Sequence, residues 1–294
     1  MSAYNASMVT NLEGKTCLVT GATSGIGKAV ALGLAEMGAT VVLVGRSRDR
    51  CKLAMNEIRG KIKDGDKVSH LIADLSSQAS VRQLAKDYAN NNKRLDVLIN
   101  NAGVFQARRV TTVDGIEYTL AVNHLAPFLL TNLLLDVIKA SAPSRIITTS
   151  SVAHRGAHID FDDLQFEKRS YSGIKAYSQS KLANILFTRE LAERLKGTGV
   201  TANCFHPGGV RTNLAQGDNP WHYRLVWSAA GLFFISPEKG ADTAIYLASS
   251  PDVEVVTGKY FVKRKQVRPS DNSESKEAAA RLWDISEKLT STKK

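Results

Sequence analysis

The chain has 294 residues, of which 43% are hydrophobic and 23% charged, and it carries a formal net charge of +11. This composition is ordinary for a globular protein, fits one large α/β domain and argues against fibrous or wholly disordered classes. The basic residues are scattered and no recognisable nucleic-acid module accompanies them, so we expect no nucleic-acid partner.

Strand-like and helix-like segments alternate along the chain. In chain order, strands are predicted at residues 16–20, 40–44, 68–73, 95–99, 145–150, 200–205 and 259–262. Helices are predicted at 25–37, 49–59, 77–88, 118–140, 176–196 and 237–248. Alternating elements with unbroken apolar strands predict a parallel sheet with helices on both faces, the single-domain Rossmann-type doubly wound α/β fold. Pro127, inside the fourth helix, is expected to start or kink a segment.

No linker divides the chain into two domains. Residues 1–13 form a polar N-terminal extension, residues 14–262 one domain, and residues 263–294 a polar tail with one helix at 273–289. The loops at 152–175 and 211–236 are long, and long loops in compact domains are often functional. We interpret the second loop as a substrate lid.

A glycine-rich turn, residues 21–27, joins the first strand to the first helix. Glycine permits the tight turn and a close approach of the backbone. The N-terminus of a helix offers free N–H groups and a partial positive charge to a pyrophosphate. Dinucleotide contacts are therefore predicted at Gly21, Ser24, Gly25, Ile26 and Gly27. The alternative is a glycine-rich turn without a ligand.

The end of the second strand indicates which dinucleotide binds. An NAD enzyme usually carries Asp or Glu about 20 residues beyond the glycines, where it binds the ribose 2′-hydroxyl. The sequence offers no carboxylate there, and Arg46 follows directly, where a guanidinium suits a 2′-phosphate. The cofactor is therefore predicted to be NADP(H), and the alternative is a solvated arginine at a strand end.

Tyr177 and Lys181 are four residues apart in the fifth predicted helix, so they share one face. A free tyrosine, with a pKa of about 10, is a poor acid or base at neutral pH unless a neighbouring charge stabilises its phenolate. An ammonium group does this, so the pair is a candidate proton-transfer unit. Such pairs also occur by chance on helix surfaces.

Seven motifs place this pair in a wider pattern: Thr20-Gly21-x3-Gly25-x-Gly27, Asp74-Leu75, Asn100-Asn101-Ala102-Gly103, Asn123-His124-Leu125, Ser150-Ser151-Val152-Ala153-His154, Tyr177-x3-Lys181 and His206-Pro207-Gly208. With them, the chain resembles the short-chain dehydrogenase/reductase family, and within it the retinol dehydrogenase-like group, over residues 14–262. The resemblance implies that residues 14–262 form a dinucleotide-binding catalytic domain, which transfers a hydride between nicotinamide and a carbonyl or alcohol carbon.

The resemblance also implies roles for individual residues. Tyr177 would donate a proton to the carbonyl oxygen during reduction or accept one during oxidation, and Lys181 would lower the pKa of Tyr177 and hydrogen-bond the nicotinamide ribose. Ser151, rather than Ser150, would orient and polarise the substrate carbonyl, and Asn123 would hold a water that links Lys181 to a proton relay. The other cofactor contacts it implies are, on the adenosine side, Asp74, Leu75, Asn100, Ala102 and Gly103 and, at the nicotinamide end, Pro207, Gly208, Val210 and Thr212.

The lid sequence, 213–236, is rich in apolar and aromatic residues, which suits a small apolar carbonyl or alcohol substrate. The resemblance suggests a retinal-like compound, and the alternative for this segment is a helix pair that extends the core. His154 and His206 are interpreted as structural, and no cluster of metal ligands is visible. A catalytically idle NADP-binding sensor is the alternative function, against which the intact Tyr177 and Lys181 argue.

The spacing of the cysteines and the length of the apolar segments indicate the cellular compartment of the protein. Cys17, Cys51 and Cys204 are far apart and show no CxxC spacing, which argues against disulfides and zinc and favours a reducing compartment. Residues 1–13 lack the apolar segment of a signal peptide, and the apolar run at 225–235 is too short to span a bilayer. We expect a cytoplasmic protein and leave open peripheral membrane contact and a homodimer through the helices at 125–138 and 176–195.

Overall fold

The computed structural model describes residues 11–209 and 235–291. Its strands are β1 Thr16–Thr20, β2 Thr40–Gly45, β3 Val68–Ile72, β4 Val97–Asn100, β5 Ser144–Thr149, β6 Val200–His206, β7 Tyr260–Val262 and β8 Lys265–Gln266. They form one sheet in the order β3-β2-β1-β4-β5-β6-β7-β8, parallel except for the antiparallel pair β7–β8. The predicted doubly wound α/β fold is thereby confirmed.

The helices within the described residues are α1 Gly25–Glu36, α2 Arg48–Arg59, α3 Gln78–Asn91, α4 Tyr118–Leu120, α5 Ala126–Leu133, α6 Leu135–Ala140, α7 Gly173–Arg194, α8 Pro237–Ser249 and α9 Lys276–Ser291. One apolar core joins the sheet to α1, α2 and α8, and a second joins it to α3, α5 and α7. Successive strand residues point to opposite faces, so that Leu18 lies in one core and Val19 in the other. This explains why the central strands are apolar without alternation.

The prediction of one helix at 118–140 is wrong in detail. A π-helical turn, Ala121–Leu125, separates α4 from α5, and α6 follows after Leu134. Pro127 lies in the first turn of α5 and has no N–H to donate to the carbonyl of Asn123, four residues earlier. The wider turn carries the Asn123 side chain into the interior, where it is fully buried.

Two further features differ from the prediction, namely the start of α7 and the presence of β8. Helix α7 begins at Gly173, because Ser172 caps it by accepting a hydrogen bond from the Lys175 N–H at 3.5 Å. The short strand β8 has no apolar residue to reveal it, since its two residues are exposed. It follows a tight turn in which Lys263 and Arg264 adopt positive φ angles of 50° and 63°, the backbone of a two-residue hairpin.

The predicted tail helix is α9, and its apolar face packs on the domain. Trp283 is buried against Phe128 and Phe187, with ring centroids 4.8 and 5.9 Å away, and the Arg194 guanidinium lies 4.2 Å from the centroid of its ring. The tail is therefore docked on α7. Among the described residues, no helix combines the length and hydropathy needed to cross a membrane.

Replacing Trp283 by Ala should lower the free energy of unfolding by about 3–5 kcal/mol, because it empties a buried aromatic cluster. Denaturant unfolding measures the loss. The control is Leu53→Ala at a position that is 61% exposed, which should change stability by less than about 0.5 kcal/mol. A loss below about 1 kcal/mol in the Trp283 variant would contradict the docking of the tail.

Candidate active site

The predicted cofactor contacts collect at one edge of the sheet. Gly21 follows β1, Arg46 follows β2, Asp74 lies just beyond β3, and Pro207 follows β6. In parallel sheets this carboxyl edge is where ligands bind, at the point where the strand order reverses, here between β1 and β4. Of the predicted contacts, Val210 and Thr212 lie outside the described residues, as does the lid from 211 to 234.

The turn after β1 accepts no side chain at its glycines. Gly21 and Gly25 have positive φ angles of 67° and 56°. A Cβ on Gly21 would lie 2.9 Å from the Cα of Ala102, and a Cβ on Gly27 would strike the carbonyl of Gly21. The Ser24 side chain does not cap α1, so the N–H groups of its first turn face the crevice without a side-chain partner. This turn therefore fits a dinucleotide pyrophosphate.

Two motif residues to which no role was assigned from the sequence hold this turn against β4. The Thr20 hydroxyl accepts hydrogen bonds from the N–H groups of Asn101 and Ala102 at 3.0 and 3.1 Å. The Asn101 amide donates to the Thr20 carbonyl at 2.9 Å. Thr20 and Asn101 are 81 residues apart in the sequence. Their role is therefore visible only in the structure, where the ends of β1 and β4 lie side by side.

A second arginine, Arg50, follows Arg46 in the first turn of α2. Arg46 is exposed and donates to the Tyr118 hydroxyl at 3.3 Å. Arg50, also exposed, donates to the Ser24 hydroxyl at 3.4 Å and so lies over the start of α1. The sequence analysis missed Arg50, although its spacing of four residues from Arg46 was a usable signal. The two guanidinium groups fit a phosphate on the adenosine ribose.

The adenosine-side residues differ in exposure. Asp74 accepts hydrogen bonds from the Ser76 N–H and hydroxyl at 2.9 and 2.7 Å, which orders the turn after β3, and Leu75 packs partly against the second core. Ala102 and Gly103 are partly exposed beyond β4. The side chain of Asn100 is buried and donates to Thr131 in α5 at 3.0 Å, so it does not line the crevice.

Tyr177 and Ser151 meet at this edge. Their side chains share a hydrogen bond, which lowers the pKa of Tyr177, but burial outweighs it and raises that pKa to about 12. Ser151 follows β5 and caps the 3₁₀ helix Val152–Gly156 by accepting from the Ala153 N–H at 3.2 Å. The neighbouring Ser150 is buried and donates to the Lys181 carbonyl at 2.8 Å. Of the two serines, only Ser151 is thus available to a ligand.

Lys181 lies deeper, with 2% of its surface exposed. Its ammonium donates to the Thr149 carbonyl at 3.2 Å and lies 5.5 Å from the centroid of the Tyr177 ring. Burial lowers the pKa of Lys181 to about 8. The expectation that Lys181 lowers the pKa of Tyr177 stays a prediction, which the 5.5 Å separation of the ammonium from the Tyr177 ring allows.

Asn123 connects three segments of the site. Its side-chain oxygen accepts from the Val104 N–H at 2.7 Å, and its amide donates to the Val104 carbonyl and the Ser180 hydroxyl, both at 3.0 Å. Ser180 in turn donates to the Tyr177 carbonyl at 2.7 Å. Asn123 therefore anchors the chain after β4 to α7. Its predicted role in holding a water stays a prediction.

The histidines near the site are neutral, because desolvation lowers their pKa values. Burial lowers the pKa of His206 to about 4 and keeps that of His154 below its ordinary value. His124 is also fully buried, and its ring contacts the Ser286 hydroxyl of α9 at 2.9 Å. Within residues 11–209 and 235–291, no group of three acidic, histidine or cysteine side chains could hold a metal ion.

The two ends of the lid meet beside the turn after β6. The Ile235 N–H donates to the Gly209 carbonyl at 2.8 Å. Gly208, with a φ of 92°, has no room for a side chain, because a Cβ would lie 2.9 Å from the Ile235 side chain. The segment between them therefore leaves and rejoins the described part of the chain at the predicted nicotinamide end.

Comparisons with known proteins agree with this arrangement. The family model described as short chain dehydrogenase matches residues 15–222. Human retinol dehydrogenase 13 is 46% identical over 283 residues, covering 95% of this chain and 85% of the relative. A crystal structure of an uncharacterized protein from Mycobacterium paratuberculosis superposes with a TM-score of 0.78 at 34% identity, covering 96% of both chains. The Pseudomonas aeruginosa RhlG/NADP active-site complex gives 0.68 at 28% identity, covering 86% of this chain and 96% of the other.

The burial of the Lys181 ammonium is expected to lower the stability of the fold. A charge without a carboxylate partner costs desolvation energy, so Lys181→Met should raise the free energy of unfolding at pH 7 by about 1–3 kcal/mol. The folded pKa, about 8, lies below the ordinary lysine pKa of 10.5, so the cost is fully present below pH 8 and fades as the pH rises towards 10.5. The advantage of the variant should shrink over that window.

Denaturant unfolding at pH 7 and at pH 10 measures both effects. The matched control is Lys175→Met at an exposed position of the same helix, which should change stability by less than about 0.5 kcal/mol at either pH. A Lys181→Met variant less stable than the wild type at pH 7 would show that the ammonium stabilises the fold.

Proposed function

The chain belongs to the short-chain dehydrogenase family as an oxidoreductase related to retinol dehydrogenases, and from this premise we propose that it is an NADP(H)-dependent reductase of lipophilic aldehydes or ketones. It would catalyse the reverse oxidation with the same residues. The observation that carries the proposal is the convergence of the Tyr177 and Ser151 hydroxyls and the Lys181 ammonium at the carboxyl edge of the sheet.

The residues of the crevice fit the cofactor. The glycine turn and the first turn of α1 would hold the pyrophosphate, Asp74 and the chain after β4 the adenosine, and Pro207 and Gly208 the nicotinamide end. When bound, NADP(H) supplies or accepts the hydride.

Tyr177 suits the role of a general acid. With a pKa of about 12 it carries its proton at neutral pH, and that proton can pass from its hydroxyl to the carbonyl oxygen of the substrate during reduction. Ser151 would donate a second hydrogen bond to the same oxygen and stabilise the charge that develops on it. The Lys181 ammonium, near the Tyr177 ring, would stabilise the phenolate that remains.

A preference for NADP(H) over NAD(H) is supported by Arg46 and Arg50. Arg46 is exposed at the end of β2, and Arg50 is exposed in the first turn of α2, where its hydrogen bond to Ser24 brings it to the start of α1. Guanidinium groups bind phosphate through paired, charge-assisted hydrogen bonds. The related Pseudomonas aeruginosa structure contains NADP.

The proposed substrate is a small lipophilic carbonyl compound of the retinal type. The relatives named as retinol dehydrogenases support this class, as does the aromatic and aliphatic composition of the lid at 213–236. Gly209 and Ile235, the described residues on either side of residues 210–234, are joined by a backbone hydrogen bond beside Gly208, close to where the nicotinamide end of the cofactor would lie.

Replacing both Arg46 and Arg50 by Ser should lower the ratio of kcat/KM for NADPH to kcat/KM for NADH by at least about 100-fold, because each charged hydrogen bond is worth about 1.5–3 kcal/mol and the variant removes two such donors. Steady-state kinetics with both cofactors measure it. The control, Lys52→Ser on the exposed face of α2, removes one charge and should leave the ratio within about twofold. A wild type that uses NADH as well as NADPH would contradict the proposed preference.

Tyr177→Phe removes only the hydroxyl and should lower kcat for carbonyl reduction by at least about 100-fold, since general-acid catalysis contributes about 10²–10⁴. NADPH affinity, measured by fluorescence titration, should stay within about threefold, because the ring remains in place against Phe105. A variant that retained wild-type kcat would exclude Tyr177 as the proton donor.

A further inference from the structure

We propose that His154 is a positioning residue for this reaction: it orients Ser151 through the Ser151 carbonyl and couples it to the C-terminal tail through Ser270. The proposal rests on the function proposed above, in which Ser151 binds the substrate carbonyl. His154 lies three residues beyond Ser151 and its ring is buried. The proposed proton transfer from Tyr177 does not use this ring.

His154 makes two contacts with the carbonyl oxygen of Ser151. The Nδ1 atom of His154 lies 2.6 Å from that oxygen, and the His154 N–H donates to it at 3.2 Å. The Ser151 hydroxyl meanwhile accepts from the Ala153 N–H at 3.2 Å. Both the backbone and the side chain of Ser151 are therefore fixed by the three residues that follow it, and this sets the direction of its hydroxyl towards Tyr177.

The partners of His154 determine its tautomer. A carbonyl only accepts hydrogen bonds, so Nδ1 carries the proton that is donated to Ser151. Nε2 therefore has a free lone pair, and it accepts from the Ser270 N–H at 3.1 Å. Burial and the neighbouring Arg155 keep the pKa of His154 below its ordinary value, so the neutral ring persists at pH 7. A neutral imidazole, with one donor and one acceptor, matches this pair of partners.

The tail around Ser270 is attached to the same short helix at other points. Arg155 donates to the Arg268 carbonyl at 3.1 Å, and the Asn272 amide donates to the Ala157 carbonyl at 2.8 Å. These contacts link the 3₁₀ helix after Ser151 with residues more than 110 positions later. His154 is the member of this contact set that reaches Ser151 directly. Docking of the tail is thus expected to affect kcat and not only stability.

Two amide variants separate the two bonds of the ring. His154→Asn places an amide nitrogen near the Nδ1 position and can still donate to Ser151, whereas His154→Gln places its amide near Nε2 and leaves the Ser151 carbonyl with the backbone N–H alone. Ser270→Pro removes the N–H that the ring accepts, at a φ of −73° that proline adopts. The matched control is His158→Gln, an exposed histidine four residues further along.

The readouts are kcat and KM for NADPH-dependent carbonyl reduction, NADPH affinity and the thermal unfolding midpoint. His154→Gln should lower kcat by about 10- to 100-fold with KM for NADPH within about twofold, because misplacing a polarising group by about 1 Å has effects of this size. His154→Asn should recover at least about a third of the wild-type kcat, Ser270→Pro should lower kcat by about threefold or more, and His158→Gln should match the wild type.

Equal losses of kcat in His154→Asn and His154→Gln would overturn the orienting role. A folded His154→Gln protein with kcat within about twofold of the wild type would overturn it as well. If His154→Gln does not fold, Ser270→Pro decides, since wild-type kcat in that variant overturns the coupling to the tail. A wild type that reduces no carbonyl compound overturns the proposed function instead, and this result is seen before any variant is compared.

Discussion

The ammonium of Lys181 is buried beside the end of β5, and its hydrogen-bond partner is the carbonyl of Thr149 at 3.2 Å. The same carbonyl accepts the Asn184 amide at 3.1 Å, and across residues 11–209 and 235–291 no carboxylate forms an ion pair with Lys181. A charge in this position is costly, as its lowered pKa indicates. Because no anion neutralises it, its field is available to stabilise a phenolate on Tyr177.

The groups around this ammonium come from separate parts of the chain. The sheet brings Ser151 to the edge from β5, α7 carries Tyr177 and Lys181, and the π-helical turn places Asn123 against Ser180 of α7. The side chains of Ser151, Lys181 and Asn123 are held by hydrogen bonds to backbone groups and not by packing alone. Preorganised donors of this kind contribute to catalysis because they do not need to reorient as charge develops on the substrate oxygen. The tail adds a further restraint through His154.

The sequence predicted those parts of the site that depend on local pattern. Alternating apolar segments gave the sheet, the glycines after β1 gave the turn, and Tyr177 and Lys181 share a helix face as their spacing indicates. The π-helical turn was not predicted, because apolar periodicity does not distinguish an interrupted helix from a continuous one. The roles of Asn101 and His154 depend on partners 81 and 116 residues away, which no local pattern reveals.

Reduction of a lipophilic carbonyl with NADPH can be measured as NADPH consumption by the purified wild-type protein over aldehydes and ketones of graded chain length, with retinal among them. We expect NADPH oxidation with formation of the alcohol and a kcat/KM that rises with the length of the apolar chain. Turnover of small polar sugars without turnover of apolar carbonyls, or no NADPH oxidation with any carbonyl compound, would contradict it.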